Sequence, residues 1–178
     1  MKIRVAHGFT LVELLIVVAI IGIIAGIAVP GLLRARMAGN EASAIGSMRA
    51  VNNAEATYAS SCARGGFAQS LDDLYLVPAG SSAGFLSPDL QSNGTVKSGY
   101  VANVGPGPIV TVVVIGANTC NSSTADAIST YFGEVHPLTV GTSGQRSFGT
   151  DQRAAIFQDL TGATFTAATV TAATTPVQ

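Results

Sequence analysis

GFTLVELLIVVAIIGIIAGIAVPGLLRAR, Gly8 to Arg36, is the stretch on which the reading of the whole chain turns. From Phe9 to Val29 it is apolar except for Thr10, Glu13 and the glycines Gly22 and Gly26, a run of 21 residues. At about 1.5 Å of helical rise per residue, such a run spans roughly 30 Å, the thickness of a bilayer's hydrocarbon core. One carboxylate, Glu13, sits near its start. A charge inside an apolar span is costly, so it needs a partner or a task. In front stand residues 1–8, MKIRVAHG, a basic leader with Lys2 and Arg4 that ends in glycine.

Two plain readings compete for this segment. A secretory signal peptide has a basic start, but its apolar core is short, about 7–15 residues, and ends at a small-residue cleavage site. The run here is longer and holds an acid. A signal anchor fits the length and gives no reason for Glu13 or for the glycine directly before the run. The residues Gly8-Phe9-Thr10-Leu11-Val12-Glu13 resemble the processing site of the type IV pilins and of the pseudopilins of type II secretion. Leader, glycine, phenylalanine, acid and uninterrupted apolar run all coincide. The resemblance implies cleavage after Gly8 by a dedicated prepilin peptidase on the cytoplasmic side. It also implies N-methylation of Phe9 and an assembly role for Glu13, which would pair with the Phe9 amine of a neighbouring subunit. In low dielectric an in-register neighbour neutralises both charges and a mis-registered one leaves each unpaired, so the pair sets stagger more than it adds stability. The competing assignment for Glu13 is an anchor acid that faces lipid headgroups.

Length and composition suit one domain plus an anchor. The chain has 178 residues, 48% of them hydrophobic and only 11% charged. Most of the long aliphatic side chains lie before residue 36, and the remainder is rich in Ala, Gly, Ser and Thr. Removal of residues 1–8 takes away Lys2 and Arg4, so that seven basic side chains face ten acidic ones, a side-chain charge of −3. There is no basic run and no tryptophan, and no nucleic-acid partner is inferred. Lys2 and Arg4 on one side of the span balance Arg34 and Arg36 on the other, so the positive-inside count does not decide topology. The two cysteines, Cys62 and Cys120, can form one disulfide if the head is exported; the alternative is a pair of buried free thiols.

Past Val29 come Pro30 and Gly31, where proline removes a helical hydrogen bond and a kink is expected. In the resembled family the helix unwinds near an equivalent proline on assembly. Helical spacing resumes in Met37, Ala44, Ile45, Met48, Val51 and Tyr58, a one-sided apolar stripe. Arg36, Asn40, Glu41, Ser47, Asn53 and Glu55 are assigned to the opposite, polar face. Residues 9–61 would reach roughly 80 Å as a straight helix, too long for a membrane span alone. The paired glycines Gly65 and Gly66 close the helix and open a loop over residues 62–96, with a short helix from Ser70 to Leu76 capped by Ser70 and carrying Asp72 and Asp73 in its first turn.

A sheet is expected over about 97–160. Its strands are Gly99–Val104, Ile109–Ile115, Tyr131–Pro137, Arg146–Thr150 and Ala155–Gln158. Ile109–Ile115, IVTVVVI, is β-branched at every position and reads as the best of them. Tyr131 to Gln158 resembles the sheet-forming end of pilins related to the major pseudopilins, although the Ile109 run departs from the shorter versions of that pattern. The Thr- and Ala-rich tail, 161–178, reads as a disordered end, an extra edge strand or an O-glycosylated surface. The fold expected is α+β and pilin-like: a long N-terminal helix on an antiparallel sheet of four to five strands.

Catalytic chemistry finds little footing. Apart from His7 in the leader the only histidine is His136, and no nucleophile elbow, zinc motif or phosphate loop appears. The loop of Asn118, Asn121, Ser122, Ser123 and Asp126 offers oxygen ligands, and major pseudopilins can carry calcium in a sheet loop. One carboxylate is too little charge for a dedicated site, and no metal or cofactor is expected. The function these readings imply is structural. A type IV pilus subunit would start as an inner-membrane precursor and meet the prepilin peptidase/methyltransferase and the inner-membrane assembly machinery. It would then polymerise with copies of itself into an extracellular filament. A major pseudopilin of type II secretion, in a periplasmic pseudopilus, shares the same parts. An anchored extracellular binding protein that never polymerises is the third reading.

Overall fold

In the computed structural model, which describes residues 8–174 and 176–177, the chain divides after Arg36 into two units. The leader's Lys2, Arg4 and His7 lie outside the described residues. Helix α1 (Leu11–Ser61) contributes to both units and is continuous through Pro30.

The first unit is the apolar half of α1. Every described residue up to Arg36 is exposed. Sixteen large apolar side chains lie between Phe9 and Leu33, and they are 41–85% exposed. Each contributes roughly 1.5–3 kcal/mol when taken out of water, so burial of this segment is worth tens of kcal/mol. Packing among the described residues does not provide that burial. The segment is long and apolar enough to cross a membrane.

The second unit is a helix-on-sheet head. Its elements after α1 are α2 (Leu71–Tyr75), β1 (Thr95–Lys97), β2 (Tyr100–Pro106), β3 (Val112–Val114), β4 (Ala127–Ile128), β5 (Tyr131–Pro137), β6 (Ser147–Asp151), β7 (Ile156–Asp159) and α3 (Ala167–Ala172). The main sheet is antiparallel with five strands in the order β1-β2-β5-β6-β7. The stripe of Ala44, Met48, Val51 and Tyr58 is buried on it, against Tyr100, Ala102, Val104, Val135 and Phe148. Gly133 in β5 permits this approach: a Cβ there would stand 3.0 Å from Met48 Cε and 3.2 Å from Thr150 Cγ2.

The architecture is the α+β one anticipated, but one of its strands is not. Ile109–Ile115 is not a strand of the main sheet. Only Val112–Val114 is extended and paired, and its partner is β4 in a separate two-stranded sheet. The turn at Gly105-Pro106-Gly107-Pro108 carries the chain off the main sheet: Gly107 donates to the Thr130 carbonyl at 3.0 Å and Ile109 to Thr130 Oγ1 at 3.2 Å. Two prolines in that turn have no N–H with which to continue a ladder. The fifth place in the sheet belongs instead to β1, which returns into β2 through Ser98 and Gly99. Both have positive φ, 50° and 72°, as a two-residue hairpin turn of the twist-matched type requires.

The polar face drawn for α1 also needs correction, because Glu41, Ser47 and Glu55 are buried. Ser47 returns its hydroxyl to the Ser43 carbonyl at 3.1 Å. Glu41 clamps the β5–β6 connection: it accepts from the Gln145 and Arg146 backbone N–H groups at 3.0 and 3.2 Å and from Arg146 Nε and Nη2 at 2.9 and 2.7 Å. Desolvation pushes the Glu41 carboxyl up, but the Arg146 and backbone hydrogen bonds outweigh it and hold it below the ordinary range.

Glu55 is fully buried. One oxygen accepts from Ala68 N–H at 3.0 Å and the other, Oε1, has no partner among the described residues. Desolvation raises its pKa well above the ordinary 4.5, the Ala68 bond opposes this, and the charge of Asp73 adds to it. The folded chain therefore binds a proton that the unfolded chain releases. Stability is greatest below the unfolded value and falls as pH rises toward the folded one. Glu55→Gln keeps the acceptor for Ala68 and removes the titration. It is expected to raise the melting temperature of the detergent-solubilised chain at pH 7 and to flatten the pH dependence of that temperature. A variant that melts lower than wild type at pH 7, with an unchanged pH slope, would count against this.

The described part of the tail, residues 161–174 and 176–177, includes the short helix α3. Thr166 caps α3 through a reciprocal pair of bonds with Thr169. Phe165 and Val170 are buried with Phe157 over Gly149, where a Cβ would meet Val170 Cγ2 at 2.7 Å. Arg153 Nη2 donates to the Val170 carbonyl at 2.8 Å, and Pro176 bridges to Phe157 of β7. The Thr and Ala composition thus yields a short helix and an edge bridge in place of a disordered end.

Candidate functional site

The residues singled out at the N-terminus form a local device. Gly8, Phe9 and Thr10 precede the helix, and Phe9 is 85% exposed. Thr10 Oγ1 accepts from the Glu13 N–H at 3.2 Å. Glu13 Oε2 accepts in turn from the Thr10 N–H at 2.9 Å and from its hydroxyl at 2.7 Å. This is a capping box, in which two otherwise orphaned helix-end donors are satisfied reciprocally. The signal for it, Thr-x-x-Glu directly before an apolar run, is present in the sequence. Glu13 therefore has a local role in the single chain, and its second oxygen remains available in an exposed position.

Glycines in this unit meet no internal demand. A Cβ on Gly8, Gly22, Gly26 or Gly31 would find nothing within 4 Å. Glycine inside a helix costs about 0.5–1 kcal/mol relative to alanine, so Gly22 and Gly26 weaken α1 with no compensating contact inside the chain. They are four residues apart, on one face, at the spacing that lets two apolar helices approach closely. Pro30 likewise withholds one hydrogen bond from α1, and Gly31 follows it in open space.

At the far end of α1, Cys62 and Cys120 are bonded, with S–S 2.00 Å and Cα–Cα 4.7 Å. Around them the loop oxygens considered as metal ligands are turned to structural use. Asn121 Nδ2 donates to the Asp73 carbonyl at 2.7 Å, and the Tyr58 and Ser123 hydroxyls share a bond of 2.9 Å. Asp126 Oδ1 accepts from Gly116 N–H at 2.9 Å, and Asp73 Oδ1 accepts from Thr124 N–H at 2.7 Å. Asp73 thus joins α2 to the disulfide loop besides lying in its helix's first turn. His136 forms an ion-pair contact with the buried Glu134 at 2.9 Å, whose other oxygen accepts from Asn103. Among the described residues no cluster of three His, Cys, Asp or Glu side chains forms.

Residues 3–29 match the family model described as the prokaryotic N-terminal methylation motif. That motif is the prepilin signal of type IV pilins and pseudopilins, a family of structural proteins, and it implies processing by a prepilin peptidase. The match covers the leader and the apolar half of α1 and stops before the head. No curated protein and no solved structure matches the chain. Motif, exposed apolar helix and helix-on-sheet head together define a pilin-like, α+β protein whose precursor fits a membrane anchor.

Proposed function

We propose that the chain is a structural subunit of a type IV pilus. It is cut after Gly8, N-methylated on Phe9 and polymerised into a helical filament through its apolar helix. The observation that carries this reading is the methylation motif lying over the half of α1 whose large aliphatic side chains, Leu11 to Leu33, are exposed. In the precursor, lipid covers them. In a filament, the same faces of neighbouring helices do, with Gly22 and Gly26 admitting close approach and Glu13 meeting the Phe9 amine of a neighbour. Loss of one backbone hydrogen bond at Pro30, next to Gly31, supplies a place for the helix to bend or unwind as it leaves the membrane. The partners are copies of the chain, the peptidase/methyltransferase and the inner-membrane assembly machinery. The location is the inner membrane and then the extracellular pilus.

The test is microscopy of sheared surface material with N-terminal sequencing. Filaments built from a polypeptide that begins at methylated Phe9 support the reading. Mature polypeptide confined to the cell envelope, with secretion lost on its deletion, would move the assignment to a type II pseudopilus. Processing has its own check. Among the described residues nothing lies within 4 Å of a Cβ added at Gly8, so the substitution is directed at the peptidase. Gly8→Val is expected to leave nearly all of the protein as uncut precursor on immunoblots of membranes. Accumulation of mature-sized protein starting at Phe9 would contradict it.

A further inference from the structure

Two apolar surfaces stand at opposite ends of the head's central strands. At the Tyr131 end of β5, which pairs with Pro106 of β2, lies the strip of Ile109, Val110, Val112, Val113 and Ile115, 41–63% exposed. At the Pro137 end, which pairs with Tyr100, lie Leu138, Val140 and Leu160, 47–67% exposed. Register places Leu160 there, because Val135 faces Phe148 and Ser147 faces Asp159. Val140 joins it, since its Cγ2 stands 2.8 Å from where a Cβ on Gly162 would be. Seven strand residues separate the two ends by roughly 20 Å.

We infer that these two surfaces are halves of one contact, the strip of one copy seating on the Leu138–Val140–Leu160 surface of the next. The inference rests on the filament reading above. Chemistry and size both select a second copy as the occupant. No charged residue occurs from Gly105 to Ala125 or from Pro137 to Gln145, so each surface demands an uncharged, aliphatic partner and the chain itself carries one. Their rims are of opposite sign. Arg64 lines a surface cavity with Val113 and Ile115, and Asp159 directly precedes Leu160. Neither has an ion-pair partner among the described residues. The strip exposes on the order of 500 Å² of apolar area, large for a monomer's surface. It still falls short of the roughly 800 Å² per partner that holds a free complex together. Such a contact forms where another interface already aligns the copies, as polymerised apolar helices would. Because the two surfaces differ and lie at opposite ends, the contact is heterologous and repeats without closing.

The native cysteines are bonded to each other, so introduced cysteines are the only free thiols. Full-length Val110→Cys, Leu138→Cys and the double variant are expressed in place of wild type, and sheared filaments are treated with a flexible thiol–thiol cross-linker. The double variant is expected to give a ladder of dimers, trimers and higher multiples, and each single variant none. Filaments without a ladder from the double variant overturn the contact. So do dimers from either single variant, which would mean like surfaces meeting like, and so does cross-linking to a different protein. If wild-type cells make no filaments at all, the filament reading fails and this contact fails with it.

Discussion

Filaments are expected to disappear from the surface of cells carrying Glu13→Gln, while the mature polypeptide accumulates in the membrane. Glutamine keeps the shape of the side chain and, at the third helical position, still accepts from the Thr10 N–H as the capping box requires. What it loses is charge. Membrane insertion becomes easier, cleavage upstream at Gly8 continues, and the head, whose core is built from residues 44 onward, folds as before. Only the step that needs an anion is affected, the neutralisation of a neighbour's Phe9 amine. Thr10→Ala supplies the complementary control. It removes the hydroxyl that accepts from Glu13 N–H and leaves the carboxylate in place. Loss of an N-cap costs about 1 kcal/mol locally, so filaments should still form in this variant. Comparison of membrane-pool and sheared protein in both variants separates the two roles of Glu13. Abundant normal filaments from Glu13→Gln, or their loss from Thr10→Ala alone, would assign the residue to capping and end the charge-pair account.

How far the sequence could be read follows from which interactions are local. The apolar run, its leader and the stripe of Ala44, Met48, Val51 and Tyr58 are periodic signals carried by one segment, and α1 lies where they put it. The same holds for Ser70, whose side chain accepts from Asp73 N–H at 3.1 Å. Long-range partners are invisible to that kind of reading. Glu41 is assigned to solvent because it is charged, yet its partner Arg146 comes from the β5–β6 connection, 105 positions later. Glu55 lies on the same face and is buried although it has only one hydrogen bond. Ile109–Ile115 has the strongest strand propensity and joins no large sheet, because propensity measures fit to a pleated surface and cannot choose which neighbour is available. Thr95–Lys97 is only three residues long, too short to read as a strand by pattern, and becomes an edge strand because the Ser98-Gly99 turn folds it onto β2. In the N-terminal segment the capping box is locally encoded in Thr10 and Glu13, but the same acid, costly in an apolar run, equally fits a partner outside the chain, so its residues alone do not choose between the two roles.

Removing the bond between Cys62 and Cys120 is expected to cause the largest loss of stability of any change in the head. The two residues are 58 positions apart, and a loop of that size gives about 4 kcal/mol in the chain-entropy model, with measured values often lower. Domains are stable by about 5–15 kcal/mol in total, so this is a large share. The bond also closes a particular gap. Gly65 N–H reaches the Ala59 carbonyl at 2.7 Å to end α1, and beyond it the chain touches the disulfide loop through Tyr58, Asp73 and Asn121. Without the cross-link those polar contacts, each worth about 1 kcal/mol net, and the packing of Tyr58 and Ala63 with Val114 and Ala127 are left to hold this end of the head together. Alanine is the suitable replacement, because Cys62 is buried and a serine hydroxyl there would need a new partner. Cys62→Ala/Cys120→Ala is expected to lower the melting temperature of the detergent-solubilised chain by roughly 10 °C, from the few degrees per kcal/mol typical of this size. Cys120 is exposed, so reductant should reach the bond in the wild-type chain and reproduce the loss. The double variant should be indifferent to reductant. If the variant melts with the wild type, or if unreduced protein shows two free thiols by mass spectrometry, the head is held by its helix-on-sheet core alone.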